Sequence, residues 1–174
     1  IGAADAAWMW RLLCHAATMP GGDTPENVAE AQQSAILSHF VADWGRPGDV
    51  GVIAQIDSGD VAGAAWIRLG LDAVWDEHGF TLQLRPDMAP DEFEHGAPEL
   101  AIAVFPKFQG MGVGHRLLEA LFEKAAAVHT MIQLSVREDN PAIRLYERTG
   151  FQTIGEMTNR VGGRSLVMVR RLND

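Results

Sequence analysis

Three glycines, Gly110, Gly112 and Gly114, stand between an apolar run and an amphipathic segment in "VFPKFQGMGVGHRLL", Val104 to Leu118. A strand that ends in such a turn and enters a helix aims unpaired backbone N–H groups and the positive end of the helix dipole at one point, and that point attracts phosphate. Glycine lets a ligand approach the main chain and permits backbone angles that side chains forbid. From the triplet alone, a tight turn with nothing bound fits as well as a phosphate cradle. Both common nucleotide templates fail here. A P-loop requires Gly-Lys-Ser/Thr, but His115 and Arg116 follow Gly114; the dinucleotide fingerprint requires glycine at 115 or 117, where His115 and Leu117 stand.

Other residue types narrow the chemistry. The single cysteine, Cys14, excludes an internal disulfide and a cysteine metal cluster, which suits a reducing compartment. It falls among apolar residues of a predicted helix and reads as a buried structural thiol. Tyr146 is the only tyrosine; taken by itself, it is a ring packed beside Ile143 and Leu145. The net charge of −9 argues against nucleic-acid binding, which rests on Lys and Arg. Much of the acid lies between Gly70 and Glu99, where Asp72, Asp76, Glu77, Asp87, Asp91, Glu92, Glu94 and Glu99 stand against one base, Arg85. By charge alone that segment is a solvated loop.

The elements that must position these residues follow from periodicity. A chain of 174 residues, 47% hydrophobic and 21% charged, suffices for one globular domain over residues 1–174. It has no apolar run of about 18 residues and no basic-then-apolar leader, so a soluble, cytoplasmic protein is expected. Helical spacing marks Ala4 to Ala17 and Pro25 to Trp44, broken by "TMPGGDTP". Val50 to Ile56 and Val61 to Leu69 read as strands joined across "DSGD", and a short strand is expected at Phe80 to Leu84. Leu100 to Phe105 is an apolar run ended by Pro106, as a buried strand would be. Val113, Leu117, Leu121, Ala125 and Val128 form one face of the helix after the glycines. Met131 to Val136 is the next strand. In "NPAIRLYERTGF" Asn140 is the expected N-cap, Pro141 the first helical residue and Gly150 the C-terminal glycine. Phe151 to Met157 and Ser165 to Arg171 form a closing hairpin.

"VFPKFQGMGVG" resembles the acyl-CoA-binding motif of the GNAT superfamily of N-acetyltransferases, a strand ending in V-x-P followed by Q/R-x-x-G-x-G/A: Val104, Pro106, Gln109, Gly112 and Gly114. "NPAIRLYERTGF" is similar to that family's second motif, N-x-x-A-x-x-L-Y-x-x-x-G-F, with Asn140, Leu145, Tyr146, Gly150 and Phe151 in register and Ala142 one place early. The motifs are one helix and one strand apart, as in the family. The likeness is close from Glu99 to Leu172 and rests on element order before that.

The resemblance implies an α/β (α+β) fold: a mixed, mostly antiparallel sheet splayed in the middle, with helices on both faces. It implies acetyl-CoA as cosubstrate and no metal. The CoA pyrophosphate would rest on the backbone of Gln109, Gly110, Met111, Gly112, Val113 and Gly114, with His115 and Arg116 as helpers or as solvated charges. Val104 would exchange main-chain hydrogen bonds with the pantetheine arm, and Asn140 would cap its helix and face that arm. Tyr146 becomes the general acid for the departing sulfur. A protonated amine must lose a proton before it attacks, and the resemblance makes Glu99 a candidate base, with His95 in reserve and a water relay as the third choice.

Trp8, Trp10, Trp44 and Trp66 are candidates to line an acceptor pocket or to fill the core. The family's first strand would have only Ile1 and Gly2 to form it, so it is expected to be truncated. The expected activity is acetyl transfer from acetyl-CoA to a primary amine by direct attack, with a small-molecule or peptide acceptor that is cationic if the acidic segment borders its entrance. Two other classes stay open: an acyl-CoA-binding sensor without turnover, separated by CoA release in the presence of an amine, and a nucleotide-binding module, which ATP or NAD binding would revive. No membrane or nucleic-acid partner is expected, and a homodimer is left open.

Overall fold

The computed structural model describes residues 1–70, 83–85, 96–159 and 161–172. Most of the acidic stretch between Gly70 and Glu99, with His95, lies outside the described residues. Among them, seven strands form one sheet in the order β1-β2-β4-β5-β7-β6-β3. The strands are β1 (Val50–Gln55), β2 (Val61–Arg68), β3 (Gln83–Leu84), β4 (Glu99–Val104), β5 (Met131–Arg137), β6 (Gln152–Thr158) and β7 (Arg164–Arg171). Of the strand expected at Phe80 to Leu84, only Gln83–Leu84 is described, and it pairs with β6.

Every pairing is antiparallel except β4 with β5, which run parallel and meet at a single register pair, Glu99 and Gln133. The sheet therefore opens in its middle. Alternation along β2 and β4 assigns their side chains to two cores. Ala64, Trp66, Ala101 and Ala103 face one core with α1 (Ala6–Ala16) and the helices after it. Ala65, Ile67, Leu100, Ile102 and Val104 face the other, with α4 (Val113–Ala125) and α5 (Ile143–Arg148). Helices thus cover both faces, as period-two strands with two apolar faces require.

Two expected boundaries differ. The helical segment from Pro25 is two helices, α2 (Pro25–Gln33) and α3 (Ala35–His39), because Ser34 adopts extended angles and its side chain caps the Leu37 N–H at 3.2 Å. The new N-cap restarts the helix. The helix after the glycines ends at Ala125, which leaves Val128 outside it and 60% exposed; Leu117, Leu118, Leu121, Phe122 and Ala125 form the buried face. Among the described residues no strand precedes α1: the Ile1 ammonium reaches Gly51 O on β1 at 3.4 Å, and Ala3–Asp5 is a 3-10 turn.

Candidate active site

The opening between β4 and β5 is a consequence of register. Phe105 N donates to Ala62 O at 2.9 Å, which makes alternate residues of β4 bond to β2 and turns the main-chain groups of Ile102 and Val104 the other way, toward β5. Beyond the Glu99–Gln133 pair no strand pairing takes them up. The carbonyl of Val104 instead accepts a hydrogen bond from Gln109 Nε2 at 3.0 Å. The β4 edge at Ile102 and Val104 thus has no strand partner, a place where an extended ligand could pair.

The glycine turn follows directly. Gly110 and Gly112 have φ of 75° and 78°, the left-handed region, and Gly112 is the N-cap of α4 without a side-chain cap. Arg116 N is the first amide of the helix to find a partner, Gly112 O at 3.3 Å. Among the described residues, the amides from Gly110 through His115 have no acceptor. A run of unpaired N–H groups at the positive end of a 13-residue helix fits a phosphate group. The His115 and Arg116 side chains are exposed, and His115 Nε2 lies 3.4 Å from Glu119 Oε1.

Tyr146 is held from its own helix end. Phe151 N donates to Tyr146 O at 3.0 Å and Gly150 N to Glu147 O at 3.1 Å, with Gly150 at φ 90°. This is a Schellman motif, and its usual apolar contact is the Tyr146–Phe151 ring pair, 5.8 Å between centroids. Arg170 on β7 donates to Thr149 O and lies over the Phe122 ring, so a guanidinium closes the carbonyl end of α5. The start of that helix is looser than expected. Asn140 Oδ1 caps Ala142 N at 2.9 Å, but Asn140, Pro141 and Ala142 form a turn and the α-helix begins at Ile143. Burial pushes the Tyr146 phenol up to about 12. It stays protonated, and so able to donate, throughout the physiological range.

Glu99 is buried, 1% exposed, and its Oε1 accepts from Ser135 N at 3.1 Å and Ser135 Oγ at 2.9 Å. Ser135 itself is exposed and bounds a cavity together with Glu99. On the neighbouring strand Arg68, the register partner of Glu99, is equally buried. It pairs with Asp49 at 2.6 Å and donates to the carbonyls of His39, the last residue of α3, and of Ala42 and Asp43 beyond it. Burial alone would raise the Asp49 carboxyl; hydrogen bonds from Arg68 and the Gly45 amide hold it below the usual carboxylate range.

Two cavities meet here. One, about 470 Å³, is bounded by Val104, Gln109, Gly114, Asn140 and Tyr146. The other, about 430 Å³, is bounded by Leu37, Phe40, Glu99, Ser135, Tyr146 and Met157. They share Ala16, Thr18, Ile102, Arg137, Asn140 and Tyr146. The structure thus brings Tyr146, Glu99, Val104, Gln109 and Asn140 to one cleft. It does not bring the tryptophans there. Trp66 is fully buried with Nε1 on Phe40 O at 3.0 Å, Trp44 is in the core, and Trp8 and Trp10 pack against it. Their large apolar area is consumed by the core under α1 to α3. Cys14 is buried too, its thiol on Trp10 O at 3.3 Å and pushed up by burial, as a structural thiol should be.

Sequence reasoning missed Ser135, Arg68, Arg170 and Thr18. A charged residue inside an apolar strand, as Arg68 and Arg170 are, was the available signal. Ser135 and Thr18 gave none.

Residues 16–151 match the model of the acetyltransferase (GNAT) family. The chain belongs to the GNAT family. It is 44% identical over 54 residues to a spermine/spermidine N(1)-acetyltransferase of Bacillus subtilis, covering 29% of this chain and 36% of that protein. It is 40% identical over 73 residues to the N-alpha-acetyltransferase RimI of Mycobacterium tuberculosis, covering 40% of this chain and 45% of the relative. The matched stretches thus span less than half the length of either relative. A Salmonella typhimurium protein named a putative acetyltransferase, solved with its cofactor acetyl-CoA, shares the fold, with a TM-score of 0.60 and 20% identity over 100% of this chain and 92% of its own. Among the described residues no helix is long and apolar enough to cross a membrane.

Proposed function

We propose that this GNAT protein, as one domain over residues 1–174, transfers an acetyl group from acetyl-CoA to a primary amine that attacks the thioester directly. The observation that carries the proposal is the meeting of two cavities at Tyr146, one running to the glycine turn and the other to Glu99 and Ser135. A two-substrate transfer needs such a junction, because holding both reactants in line supplies much of the rate. Acetyl-CoA would supply the thioester whose carbonyl carbon the amine attacks. The amides of Gly110 to His115 hold its pyrophosphate, and the Ile102 and Val104 main chain holds its arm. The Tyr146 hydroxyl donates a proton to the departing sulfur. Glu99 receives the proton lost by the amine, with the Ser135 hydroxyl or a water as relay.

The acceptor carries positive charge beyond the reacting amine. The acidic composition of residues 70–99, which lead into β4, supports this through the attraction a negatively charged segment exerts on cations, and the matched relatives include a spermine/spermidine N(1)-acetyltransferase and an N-alpha-acetyltransferase. The test is a thiol-release screen of acetyl-CoA with spermidine, an alanine-started basic peptide, an aminoglycoside and acidic amino acids. Release with a cationic amine, weakening as salt rises, is expected. CoA binding without release in any well would leave a sensor, and release with the acidic amines alone would overturn the cationic acceptor.

A further inference from the structure

Among the described residues, Thr18 and Asp43 are the non-glycine residues with positive φ, 51° and 53°. Asp tolerates that region through its short polar side chain, but for a β-branched residue it is a strained outlier. Thr18 is there because α1 ends in a Schellman motif: Met19 N donates to Cys14 O at 3.0 Å and Thr18 N to His15 O at 3.1 Å. The position between those two bonds is the one glycine normally fills, and at the matching end of α5 Gly150 fills it. The strain buys something other than backbone geometry.

What Thr18 adds over glycine is a hydroxyl and a methyl, exposed, at the junction of the two cavities. It reaches the junction from the α1 face of the sheet, whereas Tyr146 reaches it from the α5 face. Thr18 and Tyr146 line both cavities, so an amine moving from the Glu99–Ser135 cavity toward a thioester lying against Tyr146 would pass Thr18 at the junction. An attacking amine must turn its lone pair to the carbonyl carbon, so its N–H groups need acceptors elsewhere, and a threonine oxygen has two lone pairs. Strained residues concentrate where a side chain acts on a ligand.

We propose that Thr18 contacts the acceptor substrate, its hydroxyl accepting a hydrogen bond from the incoming amine and its methyl narrowing the passage; the proposal rests on the acetyl-transfer reading above. The experiment compares wild type with Thr18→Gly, Thr18→Ser and Thr18→Val for melting temperature, CoA-induced melting shift, and kcat/KM for spermidine and for an alanine-started basic peptide. Thr18→Gly is expected to melt about 2–4 °C higher as the strain is relieved, to keep the CoA shift, and to lose about 10-fold in kcat/KM for the amine. Thr18→Val keeps the strain and shape and should lose similarly without melting higher; Thr18→Ser should recover most of the rate. Wild-type rates in Thr18→Gly or in Thr18→Val, or a lower melting point for Thr18→Gly, would overturn the proposal. A wild-type protein that releases no thiol with either amine overturns the reading beneath it instead, and does so before any variant is made.

Discussion

The two cavities that meet at Tyr146 are built from different parts of the polypeptide. The one beside the glycine turn borders on main-chain groups: the Ile102 and Val104 backbone turned away from β2 and, at Gly114, a run of amides without acceptors at a helix start with no side-chain cap. The other is side chain: Leu37 and Phe40 from a broken helical segment, Met157 from β6, and the Glu99–Ser135 pair. A cosubstrate common to many enzymes can be held by groups every residue carries, whereas an acceptor particular to one enzyme must be met by side chains. The helix ends repeat the contrast. α5 and α1 finish in the same motif, but Gly150 supplies only a backbone angle, and Thr18 supplies that angle at a cost together with a side chain.

If phosphate rests on the amides beside the first cavity, charge placed among them should matter more than any loss of side chain. With ligand at about 100 times its dissociation constant, CoA should add about 2.7 kcal/mol to wild-type stability. Gly112→Glu is expected to abolish that increment. A Cβ at Gly112 meets nothing within 4 Å, so the variant has room to fold, and Gly112→Ala carries the same φ strain without the charge. Retention of the CoA shift in Gly112→Glu, measured by thermal melting, would move the phosphate site elsewhere.

The helix ends predict smaller changes of opposite sign. A Cβ at Gly150 would crowd the Arg170 guanidinium and force a side chain to φ 90°, so Gly150→Ala should destabilise by about 1–3 kcal/mol in denaturant melts. Thr18→Gly at the matching position should stabilise by about 1 kcal/mol. Two shifts of the same sign would end the comparison.

The same division decided what could be read from sequence. The glycine turn and the strand before it were legible, because backbone requirements appear as residue types at fixed spacing: glycine where φ must be positive, proline where a strand must stop, and glycine again after a helix; Tyr146 was reached only through the family resemblance. The acceptor side was not. Ser34 starts a new helix inside one continuous apolar pattern, and nothing in that pattern distinguishes a kink from a straight run. The tryptophans suggested a pocket, yet a large ring satisfies a core equally well, and Trp66 went there. Glu99 was reached as a candidate base through the resemblance, but its partner Ser135 lies 36 residues away and becomes a neighbour only through the parallel pairing of β4 with β5. The strain at Thr18 is a property of φ, and a threonine after a helix does not announce it.

The claim under all of these is that acetyl transfer takes place at Tyr146. The direct measurement is single-turnover thiol release from acetyl-CoA by Tyr146→Phe, beside wild type and with the best amine of the screen. The ring is kept, so the Phe151 contact and the CoA-induced melting shift should survive, and the rate should fall about 100-fold as the proton donor is lost. A folded, CoA-binding Tyr146→Phe protein that releases thiol at the wild-type rate would contradict the account.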